Sequence, residues 1–304
     1  MPDGRETYMS VVKTSLRNNG TEDVIFGTGG ETVGGSLYRT TLADILKGDI
    51  SDAVLLATCK NKGFIAPPAL ADITGDGIYD IIVNAVNGRT LAINGATDSL
   101  LWSVELPGTE IYSSPAIGFF NGDEVPDVFT NYSIGVWPMI KRYTQRMIEG
   151  KTGEVLATDT AGIFSYASPV VADFNDDGFD DVLLSVNSLL RLNLYDHSKS
   201  HISQLMVFDF KEDITYPIGD TLLGSNVAST PWLGDMDGDG NLDIISSTIE
   251  LNGQRNEIDL PTNLRVFHIK TSFPAKNIKW GGYMGSHYDG VFRKERRAAK
   301  VSAE

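Results

Sequence analysis

The sequence predicts an all-β fold, and three observations carry that prediction. A fifteen-residue pattern recurs along the chain: a small-apolar strand, an acidic Gly-rich turn, then Asp followed by an aliphatic run. It reads ALADITGDGIYDIIV from Ala69, VVADFNDDGFDDVLL from Val170 and WLGDMDGDGNLDIIS from Trp232; weaker copies are AIGFFNGDEVPDVFT from Ala116 and VVKTSLRNNGTEDVIF from Val11. Between the copies lie short β-type runs, each closed by Gly, Asn or Asp. Helical periodicity is nearly absent; ADILKGDI, Ala43 to Ile50, is its best stretch and spans one or two turns.

Aligned on the first turn position, the copies begin at Ser15, Asp72, Phe119, Asp173 and Asp235, at separations of 57, 47, 54 and 62 residues. That period is too long for leucine-rich or ankyrin repeats and suits four strands with their loops. Such units are blades, and blades stack radially because one blade cannot bury both its faces. The prediction is therefore a β-propeller with five visible blades, at about 1–63, 64–109, 110–164, 165–225 and 226–292, and a basic flexible tail over 293–304.

The strands follow in order. The first unit supplies DVIFGTGG, GSLYRTTL and VLLATC after its inner strand, the second IIVNAV, RTLAINGATD and LLWSVEL, and the third DVFTNYSIG, YTQRMIEGKTG and EVLATDT. The last supplies DIISSTIEL, NLRVFHIK and KNIKWGGY, the final run being expected as that blade's own outer strand. The runs IIV, VLL and IIS lack polar alternation, as befits second strands covered on both faces. GTGGETVGG, Gly27 to Gly35, reads as a loop, because it neither matches GxGxxG nor opens a helix. Trp102, Trp137, Trp232 and Trp280 recur at roughly blade intervals and are expected as packing between blades, and WGGYMGSHYDG, Trp280 to Gly290, as packing for the last one.

Composition bounds the function. The chain has 304 residues, 41% of them apolar, which suffices for a large core and excludes disorder. Forty acidic residues against 25 basic ones give a net charge of -15, which argues against nucleic acid or an anionic membrane as partner. No stretch is long and apolar enough for a membrane helix, and a lone Cys59 rules out an internal disulfide or a cysteine zinc site. MPDGRETYMS has neither the basic nor the apolar region of a secretory leader.

The turns carry the chemistry. Asp72-Ile-Thr-Gly-Asp-Gly-Ile-Tyr-Asp80, Asp173-Phe-Asn-Asp-Asp-Gly-Phe-Asp-Asp181 and Asp235-Met-Asp-Gly-Asp-Gly-Asn-Leu-Asp243 place oxygen-bearing side chains at positions 1, 3, 5 and 9 and Gly at 6. The side-chain ligands are then Asp72, Thr74, Asp76 and Asp80; Asp173, Asn175, Asp177 and Asp181; and Asp235, Asp237, Asp239 and Asp243. The backbone carbonyls of Ile78, Phe179 and Asn241 at position 7 add one more each. Calcium takes 6 to 8 such oxygens, whereas magnesium holds its waters and seldom accepts an all-protein cage. An EF-hand needs Glu at position 12, which here is Val83, Leu184 and Ser246 inside apolar strands. The three turns hold 12 of the 40 acidic residues, and the rest of the chain is nearly balanced, with 28 acidic residues against 25 basic ones. The expectation is about three Ca²⁺ sites. The other two copies offer too little: Phe119 and Glu124 at positions 1 and 6 leave only Asn121, Asp123 and Asp127, while Ser15, Arg17, Asn19 and Asp23 put a cation at position 3.

These turns with their flanking strands resemble the FG-GAP repeat, as in the N-terminal propeller of integrin α-chains. IEGKTGEVLATD, Ile148 to Asp159, and more loosely INGATDSLLWSVEL, look like the Gly-Lys-Thr-Gly turn of quinoprotein-type propellers. The FG-GAP resemblance implies calcium in the three strong turns, with Thr74 departing from the usual Asp or Asn and marking the weakest site. Such rings usually hold six to eight blades, so five blades and no leader suggest an N-terminally truncated piece of a larger ring; a five-bladed ring is the alternative.

For function, the leading expectation is a calcium-stabilised protein- or glycan-binding or adhesion module outside the cytoplasm, extracellular or periplasmic. Turns of this kind in extracellular modules bind calcium at ~10⁻⁴ to 10⁻³ M, a level met outside cells and not within. The alternatives are a propeller enzyme, quinone-dependent dehydrogenase or polysaccharide lyase-like, and an envelope scaffold or assembly factor. No catalytic or organic-cofactor residue is assigned: His197, His201, His268 and His287 fit no ligand spacing, and there is no GxSxG elbow.

Overall fold

The computed structural model describes residues 1–137, 139–163, 165–191, 199–251 and 261–294. Its strands form five antiparallel sheets in chain order. Blade 1 holds β1 (Val12–Thr14), β2 (Asp23–Gly27), β3 (Gly35–Thr41) and β4 (Val54–Cys59), with the six-residue helix α1 (Leu42–Lys47) between the last two. Blade 2 holds β5 (Ala69–Ala71), β6 (Asp80–Ala85), β7 (Arg89–Ile93) and β8 (Leu100–Glu105). In blade 3 a two-residue strand, β9 (Thr109–Glu110), pairs with the far end of β11 (Asp127–Ile134), which lies between β10 (Ala116–Gly118) and β12 (Arg142–Ile148); β13 (Val155–Asp159) is outermost. Blade 4 holds β14 (Val170–Ala172), β15 (Asp181–Arg191), β16 (Lys199–Asp209) and β17 (Ile214–Leu223), and blade 5 holds β18 (Trp232–Gly234), β19 (Asn241–Leu251) and β20 (Pro261–Pro274). The protein is a β-propeller of consecutive four-stranded units, with one exception at the end.

One register runs through all five blades. The residue that ends each three-residue inner strand faces the Asp at position 9 of the turn, at or near the start of the second strand: Thr14 with Asp23, Ala71 with Asp80, Gly118 with Asp127, Ala172 with Asp181, and Gly234 with Asp243. A shared register brings every acidic turn to the same end of its blade. β6 is buried on both faces, as its unbroken aliphatic run requires, with all six residues buried, whereas β19 alternates, its Ile245, Ser247 and Ile249 being partly exposed.

The exception corrects the expectation for KNIKWGGY. Blade 5 has three strands among the described residues, and the run expected as its fourth instead becomes β21 (Ile278–Trp280), paired with the inner strand of blade 4 through Val171 with Trp280 and Ala172 with Ile278. The chain then crosses the inner strands of two further blades. The Leu233 N–H donates to the Gly281 carbonyl at 2.7 Å, the Leu70 N–H to the Gly290 carbonyl at 2.7 Å, and the Phe292 N–H to the Leu70 carbonyl at 2.8 Å. The physical reason is edge chemistry. Inner strands have backbone groups facing the axis that no blade partner satisfies, and a strap rich in Gly can approach closely enough to pair with them. Gly290 shows the constraint: its φ is +76°, and a Cβ there would lie 2.9 Å from Val12 Cγ2.

The strap belongs to the interior. Trp280 and Phe292 join the core of blades 2, 3 and 4, Met284 and Val291 that of blades 1 and 2, and Ile278 packs against that of blades 4 and 5. Blades 5 and 1 are bridged through the strap, by Trp232 Nε1 donating to the Tyr288 hydroxyl and by the Tyr283 hydroxyl against Ser10 Oγ. Of the other tryptophans, Trp102 joins blade 2 to blade 3 by donating to the Gly150 carbonyl at 2.7 Å, whereas Trp137 is 49% exposed, its ring tilted against Tyr166 with centroids 6.4 Å apart. Arg293 and Lys294, at the start of the basic run, are docked: Arg293 pairs with Asp289, and the Lys294 ammonium donates to the Glu124 carbonyl. His197 and residues 295–304 lie outside the described residues.

Candidate metal centres

Each acidic turn is shaped before any ion is considered. Position 4 takes a left-handed backbone in all five blades, at Asn18, Gly75, Gly122, Asp176 and Gly238. Position 6 does so at Gly20, Gly77, Gly178 and Gly240, but not at Glu124. These reversals turn backbone N–H groups inward onto the first carboxylate. Asp72 Oδ1 accepts from Gly75 and Asp76 and its Oδ2 from Gly77, at 2.7, 3.1 and 3.0 Å; Asp235 repeats the set with Gly238, Asp239 and Gly240. Asp173 accepts from Asp177 and Gly178. The position 5 carboxylates of Asp76, Asp177 and Asp239 each use Oδ1 to accept the N–H of position 7.

The three sites then differ. In blade 5, Asp235, Asp237 and Asp239 each bring a carboxylate oxygen within 4.8 Å of the others, all on exposed side chains. That donor set fits a hard cation. Lys270 occupies its edge, its ammonium bonded to Asp237 and holding that carboxyl below the usual carboxylate range. In blade 4 the Lys211 ammonium lies 3.2 Å from Asp177 Oδ2, and a fourth carboxylate missed in the sequence joins the group: Asp209, at the end of β16, bonded to Asn175 Nδ2 at 3.0 Å. Burial, with Asp209, Asp173 and Asp177 adding to it, pushes Asp181 up to about 8. A bound dication relieves that repulsion. In blade 2 the Thr74 hydroxyl donates to Asp80 at 3.0 Å, so Asp72 and Asp76 are the side chains left facing the turn.

The ninth-position carboxylates have a role of their own, in blades with and without a candidate ion. Asp23, Asp80, Asp127, Asp181 and Asp243 are all buried, and each accepts the N–H of the residue seven positions before it, Leu16, Ile73, Phe120, Phe174 and Met236 respectively. The Asp clasps its own turn to the root of the second strand. Its other oxygen is matched differently in each of four blades: by Arg39 in blade 1, the Gly95 N–H in blade 2, the Gly150 N–H in blade 3 and His268 Nε2 in blade 5. The quinoprotein-like turns follow from this. A Cβ at Gly95 or Gly150 would lie 1.9 Å from the carbonyl oxygen of Tyr79 or Pro126, the residue just before the clasp, so only Gly lets the turn reach it. The sequence signal was present, since Asp23 and Asp127 persist in the two copies whose first position is no longer an Asp.

Burial outweighs the N–H bonds at Asp127 and pushes its carboxyl up to about 7, against 3.8 for a free one. A raised folded-state pKa contributes stability that is present below pH 4 and lost as pH rises through 7. The gap corresponds to at most about 4 kcal/mol. Denaturant melts from pH 4 to 8 are expected to show wild type losing stability relative to Asp127→Asn as pH rises; parallel curves count against a titrating clasp.

No protein-family model and no curated protein sequence matches the chain. Among solved structures it is similar to rhamnogalacturonan lyase PL11 of Bacillus licheniformis, at 10% identity and a TM-score of 0.40 over 92% of this chain and 70% of that one. A europium-containing methanol dehydrogenase matches at 8% identity and 0.41, over 91% and 69%. BamB of Moraxella catarrhalis matches at 12% and 0.30, over 79% and 72%. These proteins differ in activity, so the likeness concerns architecture alone.

Proposed function

We propose that the chain is a calcium-stabilised β-propeller that works outside the cytoplasm as a protein- or glycan-binding module of FG-GAP type. The observation that carries this reading is the convergence of Asp235, Asp237 and Asp239 on one centre. Asp72, Asp76 and the Ile78 carbonyl would hold a second ion, and Asp173, Asn175, Asp177, the Phe179 carbonyl and Asp209 a third; the Asn241 carbonyl completes the blade 5 set. Thr74, Asp80, Asp181 and Asp243 border these sets and shape them. The ion supplies positive charge where carboxylates crowd; the protein supplies turns already folded to receive it. Lys211 and Lys270 offer partial neutralisation without calcium and swing clear when it binds, as the partly exposed side chains allow. The extracytoplasmic placement rests on the weak affinity expected of such turns, ~10⁻⁴ to 10⁻³ M.

Calorimetry in 10 mM CaCl₂ and in EGTA tests the metal reading. At ten times its dissociation constant, each ion adds about 1.4 kcal/mol. Three sites are expected to raise the melting temperature by roughly 5 to 15 °C, and magnesium at the same concentration by much less. Equal melts in calcium and EGTA would overturn it.

A further inference from the structure

Two neighbouring wedges between blades are built to one plan and finished differently. Trp102 of β8 lies opposite Ala92, and Ala157 of β13 lies opposite Met147, each beside a register irregularity at Ile93 and Ile148. Ala157 is therefore the counterpart of Trp102. Between blades 2 and 3 the Trp102 indole donates to the Gly150 carbonyl at 2.7 Å and lies on Gly153, where a Cβ would meet its Cγ at 2.8 Å. The hairpin of blade 4 repeats that of blade 3, with Ile148 facing Val155 and Phe208 facing Thr215. Phe210 then stands for Gly150 and Asp213 for Gly153, and the latter pair share a left-handed backbone, φ +52° and +77°.

Between blades 3 and 4, where an indole would come from β13, the chain has Ala157 and a cavity of 240 Å³. Phe129 and Met147 of blade 3 and Phe208 and Phe210 of blade 4 wall it. The Phe129 ring lies 5.6 Å from Phe208 and 6.0 Å from Phe210 between centroids. Protein interiors hold few voids larger than a water molecule, and apolar ones accept apolar guests. Two exposed residues at the rim, Asp159 and Asp213, carry charge, and none of the described lining residues is a lysine or arginine. Thr215 Oγ1 donates to Asp159 at 3.1 Å across the wedge, while the Asp213 carboxylate has no hydrogen-bond or ion-pair partner among the described residues. Asp209 also borders the cavity, but its oxygens accept from the Lys211 and Glu212 N–H groups and from Asn175.

We propose that the wedge between blades 3 and 4 binds an aromatic amine. A ring of indole size enters where Trp102 sits one blade earlier, and its ammonium meets Asp213 and Asp159 at the rim. Phenylalanine rings pack well against another ring and attract a cation held over their faces. An anion would meet two carboxylates with no cation among the described lining residues, so charge decides which rings are kept.

Titration calorimetry with tryptamine, indole and indole-3-acetate, in calcium buffer of low ionic strength, reads shape and charge separately. Tryptamine is expected to bind with a Kd below 1 mM, indole about fivefold more weakly and indole-3-acetate at least tenfold more weakly. Asp213→Asn is expected to weaken tryptamine at least threefold and to leave indole unchanged. Ala157→Trp is expected to abolish binding of both and, by filling the cavity, to raise the melting temperature by about 2 to 5 °C. Ala157→Leu, a smaller filler, gives the same test with a loss of threefold or more if the larger ring prevents folding. No binding of tryptamine at 5 mM, indole-3-acetate held as tightly as tryptamine, or unchanged tryptamine affinity in Asp213→Asn or in the folded Ala157 variants would overturn the proposal. Asp159 and Asp213 belong to none of the proposed calcium sets, so equal melts in calcium and EGTA would refute the metal and leave this site standing.

Discussion

Trp280→Ala is expected to lower the melting temperature by roughly 10 °C. The side chain is 1% exposed and lies in the core shared by blades 2, 3 and 4, although it comes from beyond blade 5. Removing a buried tryptophan costs about 3 to 5 kcal/mol, and each kcal/mol moves the midpoint of a chain this large by about 2 to 4 °C. Its indole N–H has no hydrogen-bond partner among the described residues, so the effect is one of packing. Trp280→Phe should therefore recover most of the loss, which calorimetry on both variants would show. A shift below about 3 °C in the alanine variant would mean that the strap lies on the blades without completing their core.

The second large effect separates clasp from ligand. Asp127→Ala strips acceptors from the N–H groups of Phe120, Asn121 and Gly150, and Asp80→Ala does the same to Ile73, Thr74 and Gly95. Each buried donor left without a partner costs about 1 to 3 kcal/mol, so both variants should lose roughly 3 to 5 kcal/mol. If the ninth position is chiefly structural, the two losses are similar and persist in EGTA. Asp239→Ala, whose carboxylate is exposed, should instead cost little in EGTA and mainly abolish the calcium-dependent gain. Urea melts of the three variants with and without calcium distinguish these outcomes. A blade 2 loss confined to calcium buffer would return Asp80 to the ligand set.

Blade architecture was legible because it is written locally. The Asp-to-aliphatic step fixes the second strand and its register, and each of the first three units yielded its strands in order. What could not be read is what depends on distant partners. KNIKWGGY has the composition of an outer strand; only the unpaired inner edge of β14 draws it to the axis. Asp209 joins the blade 4 turn from 28 residues beyond Asp181, with no motif to announce it. Ala157 and Phe210 wall one cavity from two blades and form no pattern along the chain. The turns themselves were readable as candidate sites, yet sequence alone merged two duties, gripping an ion and gripping the turn. The copies that had lost the first duty while retaining Asp23 and Asp127 held the clue.

The position of the strap sets a timetable for synthesis. A ribosome makes all five blades before it makes residues 278–292, so the emerging chain holds the axial flanks of β5, β14 and β18 uncovered until the last piece arrives. Those bare flanks are what a chaperone would recognise, or what a neighbouring nascent chain could seize, and release from that vulnerable interval comes only when the closing segment threads home.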